Sequence, residues 1–225
     1  MKKYDPVTSP SNANANLQQK EKHFLQGKTD LEIWRQFKKG NEGAFNYIYQ
    51  TYFSELFRYG HRFTQDRELI KDAIQDLFIE LRKSSTNLAD TDSIKFYLYK
   101  SLRWKIQLYS KKNAKFLLVQ EPSEDWHFDI VFSHEVQLIN RQISEERIQH
   151  LQKALQTLPK RQKEALYYFY YESMTYEEVA GIMDLDHVKS ARNLIYKSLK
   201  TLKKEIPLLP MAILLIVFFY DFFVC

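Results

Sequence analysis

Two acidic side chains, Asp72 and Asp76, are spaced four residues apart in a stretch whose apolar residues repeat at helical spacing. This spacing places both carboxylates on one helix face, an arrangement that acid–base catalysis by paired carboxylates can use. No histidine accompanies the pair, and the 5 glycines of the chain form no phosphate-binding loop. A solvated face or a protein-binding face is therefore the better interpretation.

A second cluster combines bases with aromatic rings in the segment 93–112. Its members are Lys95, Tyr97, Tyr99, Lys100, Arg103, Trp104 and Lys105. Interleaved cations and rings are typical of single-strand binding, because rings stack on unpaired bases while cations follow the backbone. The alternative is that most of these rings belong to a core; we assign Tyr97 mainly to the core and Trp104 mainly to the surface.

The third cluster is a stretch of separated charges near the C-terminus. Every charged side chain from residue 189 to residue 204 is positive, whereas the charged residues just before it are acids. Thr175 and Glu178 match the capping-box pattern, which predicts a helix starting at Tyr176. A second helix is predicted over 188–203, so the pair describes a helix-turn-helix whose second helix enters the DNA major groove. An amphipathic helical hairpin with a solvated lysine face is the alternative.

The segments that carry these clusters are predicted to be helices. Apolar residues recur at i, i+3, i+4 and i+7 through 45–57, 66–83 and 93–112, and no strand-type alternation competes with them. After a leucine stripe that stops at Pro159, the same spacing predicts a further stripe made of Leu166, Phe169 and Tyr170. The chain is therefore predicted to be all-α.

The amino-acid composition constrains the function less strongly than these motifs do. The 225 residues carry a net charge of +5 with a pI near 9.0, which leans towards a polyanionic partner. The single cysteine, Cys225, excludes an internal disulfide framework and a cysteine-based zinc site. The 6 histidines show no metal-ligand spacing, and the N-terminus has no apolar signal segment.

The predicted organisation is two small helical domains joined by an acidic linker. Between residues 121 and 135 the chain has acids but no Lys or Arg, and Pro122 interrupts any helix there. The predicted segments are a disordered tail over 1–27, a helical bundle over 28–112, the linker over 113–143, a helix-turn-helix domain over 144–206 and a hydrophobic tail over 207–225.

Three sequence stretches resemble bacterial sigma factors. "LQKALQTLPKRQKEALYYFYYESMTYEEVAGIM" resembles region four of that family, and "IKDAIQDLFIELRK" with "FYLYKSLRW" resembles region two and its promoter-melting helix. Region two, a linker and region four, in that order with nothing between them, are typical of the extracytoplasmic-function group. The resemblance covers about residues 28–204, and Asp184 departs from it because many relatives have Gly there.

The resemblance implies a non-enzymatic, cytoplasmic factor without cofactor or metal that directs core RNA polymerase to promoter DNA and is a target for an anti-sigma factor. The implied polymerase-binding residues are Asp72, Gln75, Asp76 and Ile79. The implied promoter-melting residues are Lys95, Tyr99, Lys100, Arg103 and Trp104. The implied recognition-helix residues for the −35 element are Lys189, Ser190, Arg192, Asn193, Lys197 and Lys200.

Two alternative functions stay open at this point. One is a two-domain helix-turn-helix regulator that does not partner polymerase. The other is a membrane-tethered interaction protein that uses the hydrophobic tail, where Met211–Tyr220 is an unbroken apolar run and only Asp221 is charged between residues 208 and 224. That run is at the lower length limit for a spanning helix, so inner-membrane association is an expectation secondary to packing of the tail.

Overall fold

The computed structural model describes residues 25, 27–116, 128, 130 and 145–205. Across these ranges the regular structure is helical and contains no strand, which confirms the all-α prediction. The α-helices are α1 Asp30–Lys38, α2 Glu42–Gly60, α3 Arg67–Lys83, α4 Ile94–Phe116, α5 Glu145–Thr157, α6 Lys160–Leu166, α7 Tyr176–Ile182 and α8 Val188–Glu205. A 3-10 turn, Ser85–Asn87, follows α3, and a π-helical stretch, Tyr167–Tyr171, extends α6.

Helices α1 to α4 form the N-terminal bundle. The start of α1 is fixed by a capping box, in which the Glu32 N–H donates to Thr29 Oγ1 at 3.3 Å and the Thr29 N–H donates to Glu32 Oε2 at 2.9 Å. Trp34 on α1 is fully buried, and its indole N–H donates to the Ala89 carbonyl at 2.9 Å. This bond ties the connection between α3 and α4 to the first helix.

Helix α3 begins and packs as its sequence predicts. The Asp66 carboxylate accepts from the backbone N–H groups of Glu68 and Leu69, so Asp66 is the N-cap. The predicted apolar face is confirmed, because these side chains are all buried: Ile70, Ala73, Ile74, Leu77, Phe78 and Leu81. Helix α2 approaches α3 closely at Gly60, where a Cβ would lie 2.6 Å from Ile70 Cγ2.

Helices α5 to α8 form the C-terminal unit, and the π-helical stretch changes its expected packing. The Glu172 N–H donates to the Tyr167 carbonyl at 3.1 Å, which is the wider spacing of a π turn. As a result Tyr167 and Tyr168 are buried while Phe169 and Tyr170 are half-buried. Leu166 is buried as predicted, and Phe169 and Tyr170 pack partly buried against the core. The prediction missed the deeper burial of Tyr167 and Tyr168, because it assumed 3.6 residues per turn throughout.

Several predicted segments fall wholly or mostly outside the described residues. The N-terminal tail over 1–27 is described only at Leu25 and Gly27, and residues 206–225 are not described. Helix α4 continues to Phe116, four residues into the linker predicted over 113–143, of which the structure otherwise describes Phe128 and Ile130. Among the helices of the described ranges, none is both long and apolar enough to cross a membrane.

Candidate nucleic-acid interface

The predicted helix-turn-helix is formed by α7 and α8. The capping box at the start of α7 is confirmed: the Glu178 N–H donates to Thr175 Oγ1 at 3.1 Å, and the Thr175 N–H donates to Glu178 Oε2 at 2.8 Å. Val179, Ala180 and Ile182 are buried against the rest of the unit. The cap satisfies two backbone donors and sets the direction in which α7 enters the unit.

The turn between α7 and α8 is closed by a left-handed residue. Asp184 has φ of +51°, and the Leu185 N–H donates to the Ala180 carbonyl at 2.9 Å. This is the bond pattern of a helix end at which glycine is the usual residue, because a Cβ is strained at positive φ. The glycine expected here from the resemblance would suit this backbone, whereas Asp184 carries some strain in it.

Helix α8 presents a continuous basic face to solvent. The exposed cations and amide are Lys189, Arg192, Asn193, Lys197 and Lys200, while Ser190 is half-buried. The opposite side is buried, with Ala191, Ile195 and Leu202 at most 3% exposed. All but one of the predicted recognition residues therefore lie on the accessible side of one helix, where they can contact the backbone or base edges of a duplex.

Tyr196 is an exposed side chain that the sequence prediction missed. It is 68% exposed and follows Arg192 by one helical turn, so it lies at the centre of the basic face. Arg192 itself packs over the Tyr176 ring with its Cζ 5.0 Å from the ring centroid. A signal was available in the sequence, because position 196 falls outside the apolar repeat formed by residues 191, 195 and 202.

The basic-aromatic cluster on α4 is divided between two sides of the helix. Lys100 and Trp104 are exposed, Trp104 by 58%. Tyr99 and Arg103 are instead buried, and Lys95 is held 2.5 Å from the Glu172 carboxylate. Of the five predicted melting residues, two are therefore exposed, Lys95 is half-buried, and two are buried.

Arg103 makes the main polar contact of the buried side of α4. Its Nε donates to Glu164 Oε1 at 2.7 Å, and its Nη1 donates to Asp184 Oδ2 at 3.2 Å. Burial works to lower the pKa of the guanidinium, but the neighbouring Glu164 and Tyr168 more than offset this, so the pKa is raised above its ordinary value. Arg103 is thus a permanent cation within the contact between α4 and the C-terminal unit.

The predicted polymerase-binding residues share one face of α3. Asp72, Gln75 and Ile79 are exposed, whereas Asp76 is half-buried and accepts a hydrogen bond from the Tyr109 hydroxyl of α4. Burial, and then the bond to Asp76, raise the pKa of Tyr109 to about 12. Asp76 therefore has a role in joining α3 to α4, in addition to any role at the surface.

Phe128 is a second residue that sequence analysis missed. Although it lies in the acidic linker, it is 3% exposed, with its ring centroid 5.2 Å from that of Phe63 and 5.4 Å from that of Tyr167. Phe63 follows α2, and Tyr167 belongs to the C-terminal unit, so the linker ring fills the junction of the two halves. The apolar residues around position 128 were the only indication of burial in the sequence. The acidic composition of the segment favoured an exposed linker instead.

Comparisons with known proteins agree with this arrangement. The family described as Sigma-70, region 4 matches residues 148–202, which include α6, α7 and most of α8. No curated protein matches the chain in sequence. CnrH, solved in complex with the cytosolic domain of CnrY, is similar with a TM-score of 0.50 and 15% identity, covering 80% of this chain and 98% of that chain. The sigma factor RpoE from Bartonella quintana, solved with the anti-sigma factor NepR, is similar with a TM-score of 0.51 and 15% identity, covering 73% and 97%.

Proposed function

We propose that this chain, a sigma factor of the extracytoplasmic-function type by its region 4 domain and its fold, directs core RNA polymerase to specific promoters and starts transcription there. The observation that carries the proposal is the exposed basic face of α8 within a region 4 domain. As a sigma factor it supplies promoter specificity to the polymerase and performs no reaction of its own. Its place of action is the cytoplasm, where polymerase and chromosome are.

Recognition of the −35 element is assigned to α8. Arg192 and Asn193 lie on the exposed face in the N-terminal half of the helix, the part that contacts base edges in helix-turn-helix proteins. Lys197 and Lys200 lie further along and are suited to phosphates, which supply affinity with little sequence information. Tyr196, between the two groups, would contact the methyl group of a thymine through its ring.

Polymerase docking is assigned to the exposed face of α3. Asp72, Gln75 and Ile79 offer a hydrophobic side chain flanked by polar groups, which is the composition of a small protein-binding surface. Asp76 supports this face through its bond with Tyr109. Because an anti-sigma factor is bound to RpoE in its solved structure, a partner of that kind also belongs to the proposal for this chain.

Promoter melting is assigned to α4. Trp104 and Lys100 are accessible to an unpaired base and its backbone, and stacking on an aromatic ring contributes about 1–3 kcal/mol per base. Of the other three predicted residues, Lys95 and Arg103 are paired with the carboxylates of Glu172 and Glu164, and Tyr99 is buried against Tyr59. As a secondary proposal, the apolar tail over 207–225 associates with the inner membrane. Cell fractionation of the chain with and without this tail tests that proposal.

Transcription by the reconstituted enzyme tests the proposal. Full-length chain, purified core polymerase and fragmented DNA of the source genome are combined, and the 5′ ends of the transcripts are sequenced. We expect starts that share an upstream element, and we expect Arg192→Ala to change which starts are used. A chain that binds DNA but yields no specific starts would be a helix-turn-helix regulator without a polymerase partner, and the proposal would be wrong.

A further inference from the structure

The side chain of Arg192, in the N-terminal half of α8, packs against a ring of another helix. Its guanidinium carbon lies 5.0 Å from the centroid of Tyr176, the first residue of α7. Arg192 is exposed and Tyr176 is half-buried, so the contact lies at the edge of the proposed DNA-binding surface. A cation above an aromatic face is attracted by the quadrupole of the ring. The contact therefore joins the two helices of the helix-turn-helix at a residue assigned to base reading.

The Tyr176 ring is itself packed on a second ring. Phe169, in the π-helical stretch, stacks on it with ring centroids 4.5 Å apart and an interplanar angle of 24°. Phe169 in turn meets the Tyr170 ring edge-on, with their centroids 5.0 Å apart. All three rings are partly buried and pack against the hydrophobic core. Because packed rings have few alternative rotamers, Tyr176 is a firm support for the side chain that lies on it.

The backbone that leads into Tyr176 is also fixed. Ser173 has φ of +54°, a conformation that a residue other than glycine keeps only where its surroundings determine it. The next N–H, that of Met174, donates to the Tyr168 carbonyl at 3.0 Å, and the Met174 side chain is 5% exposed. The capping box described above then starts α7. Packing and backbone together therefore set the position of the Tyr176 ring.

We propose that Tyr176, supported by Phe169, is a positioning residue for sequence recognition, which holds Arg192 in the conformation that contacts a base edge. This inference rests on the proposed assignment of α8 to the −35 element. An arginine side chain gives up rotational freedom when it pairs with a base, and a side chain that is already ordered in the free chain gives up less. The planar guanidinium matches the two acceptors of guanine, so guanine is the base that we expect at this position. Tyr176 thus acts on specificity through Arg192, without touching the base.

A direct contact between the Tyr176 hydroxyl and DNA is the competing role for this residue. The first helix of a helix-turn-helix crosses the DNA backbone, and a hydroxyl at its start would donate to a phosphate. Such a contact depends on the hydroxyl and carries no sequence information, whereas positioning of Arg192 depends on the ring. The 5.0 Å contact between Arg192 and the ring favours positioning. Substitutions that keep the ring but remove the hydroxyl distinguish the two roles.

Selection from randomised duplex DNA by the free, full-length chain tests the inference. Bound and unbound duplexes are sequenced, and comparison of the unmodified chain with Arg192→Ala identifies the base position that Arg192 reads. We expect Tyr176→Leu to reduce base enrichment at that position about two- to fivefold, as expected for loss of an exposed cation–π contact, and to leave other positions unchanged. Tyr176→Phe should keep the enrichment of the unmodified chain, because it keeps the ring.

Three further variants separate positioning from general damage. Phe169→Leu removes the supporting ring, and we expect it to reduce enrichment at the same position only. Tyr171→Leu is the matched control, because Tyr171 is also half-buried beneath an arginine, with Arg62 Cζ 5.8 Å from its centroid, but Arg62 follows α2. We expect this control to keep all preferences. Tyr176→Leu combined with Arg192→Ala should lose no more than Arg192→Ala alone, since no guanidinium is left to position. Thermal melting by circular dichroism identifies any variant that fails to fold.

The outcomes are distinct from those of the transcription test. Unchanged preference in Tyr176→Leu would overturn positioning, and so would an equal loss in the Tyr171→Leu control. Weaker binding to all sequences alike in Tyr176→Phe would also overturn it and would assign the hydroxyl to a phosphate. If Tyr176→Leu fails to fold, unchanged preference in Phe169→Leu overturns the inference instead. Unchanged preference in Arg192→Ala would overturn the inference together with the role of Arg192, whereas the ability of the unmodified chain to direct core polymerase is measured separately.

Discussion

The α3 face gives the most direct test of polymerase docking through one side chain, Ile79. It is 40% exposed, and full burial of an isoleucine is worth about 1.5–3 kcal/mol, so covering the exposed part contributes about 0.6–1.2 kcal/mol. Since about 1.4 kcal/mol corresponds to a factor of ten in Kd, Ile79→Ala should weaken binding of core polymerase about three- to eightfold.

A charge change on the same face should add a separable effect. Asp72 is exposed and lies seven residues before Ile79 on the same side of α3. The variant is Asp72→Arg, which reverses the charge. Rim charges act mainly on the association rate, so this variant should slow association at low salt and lose its effect as salt rises. Asp76 is unsuitable for the test, because its bond with Tyr109 would be lost and folding would change with it.

The assay is titration of fluorescently labelled chain with purified core polymerase, in the absence of DNA. Tyr196→Ala is the matched control, because it removes a side chain that is more exposed than Ile79 but lies on α8. We expect the control to bind as the unmodified chain does. Equal affinity for Ile79→Ala and the unmodified chain, or equal losses for Ile79→Ala and Tyr196→Ala, would refute docking through α3.

Five other substitutions test separate parts of the chain. In binding to a randomised −35 duplex, Arg192→Ala should relax preference at one position by about 1–3 kcal/mol, whereas Lys200→Ala should weaken all sequences alike. Trp104→Ala should leave duplex promoter binding intact but reduce permanganate reactivity of the opened strand, since its ring stacks only on unpaired bases. Gly60→Ala should lower the free energy of unfolding in urea by about 1–3 kcal/mol, because its Cβ would overlap a neighbouring side chain. Burial raises the pKa of Glu55, so its ionised form opposes folding; Glu55→Gln should therefore raise Tm at pH 7, and the difference should vanish below the ordinary carboxyl pKa.

The features that the sequence predicted are those set by local pattern. The apolar face of α3 and the Thr175–Glu178 box depend on residues within one or two turns of each other, and both are present. The exposed side of α8 follows in the same way from its helical repeat. The likeness of residues 148–202 to the region 4 family was predictable because that motif is made of such local patterns.

The features that the sequence did not predict depend on contacts between distant residues. Periodicity separated the apolar side of α4 from its polar side, but it gave no information on what covers the polar side. Arg103 is buried against Glu164, which lies 61 residues away in sequence, and Tyr99 is buried against Tyr59 of α2. The π-helical stretch was missed for a related reason, because its register is set by the burial of Tyr167 and Tyr168 at the junction.

Asp184 depends both on its local backbone and on a contact with a residue distant in sequence. Glycine suits its left-handed backbone, which costs other residues about 1–2 kcal/mol and aspartate somewhat less. The carboxylate reaches Arg103 Nη1 at 3.2 Å but is 69% exposed, so this pair contributes at most about 1 kcal/mol. The strain and the ion pair are therefore of similar size, and the turn alone gives no reason for an aspartate. The ion pair lies across the junction with α4, so the position at which this chain departs from the expected glycine is also a contact between the two halves.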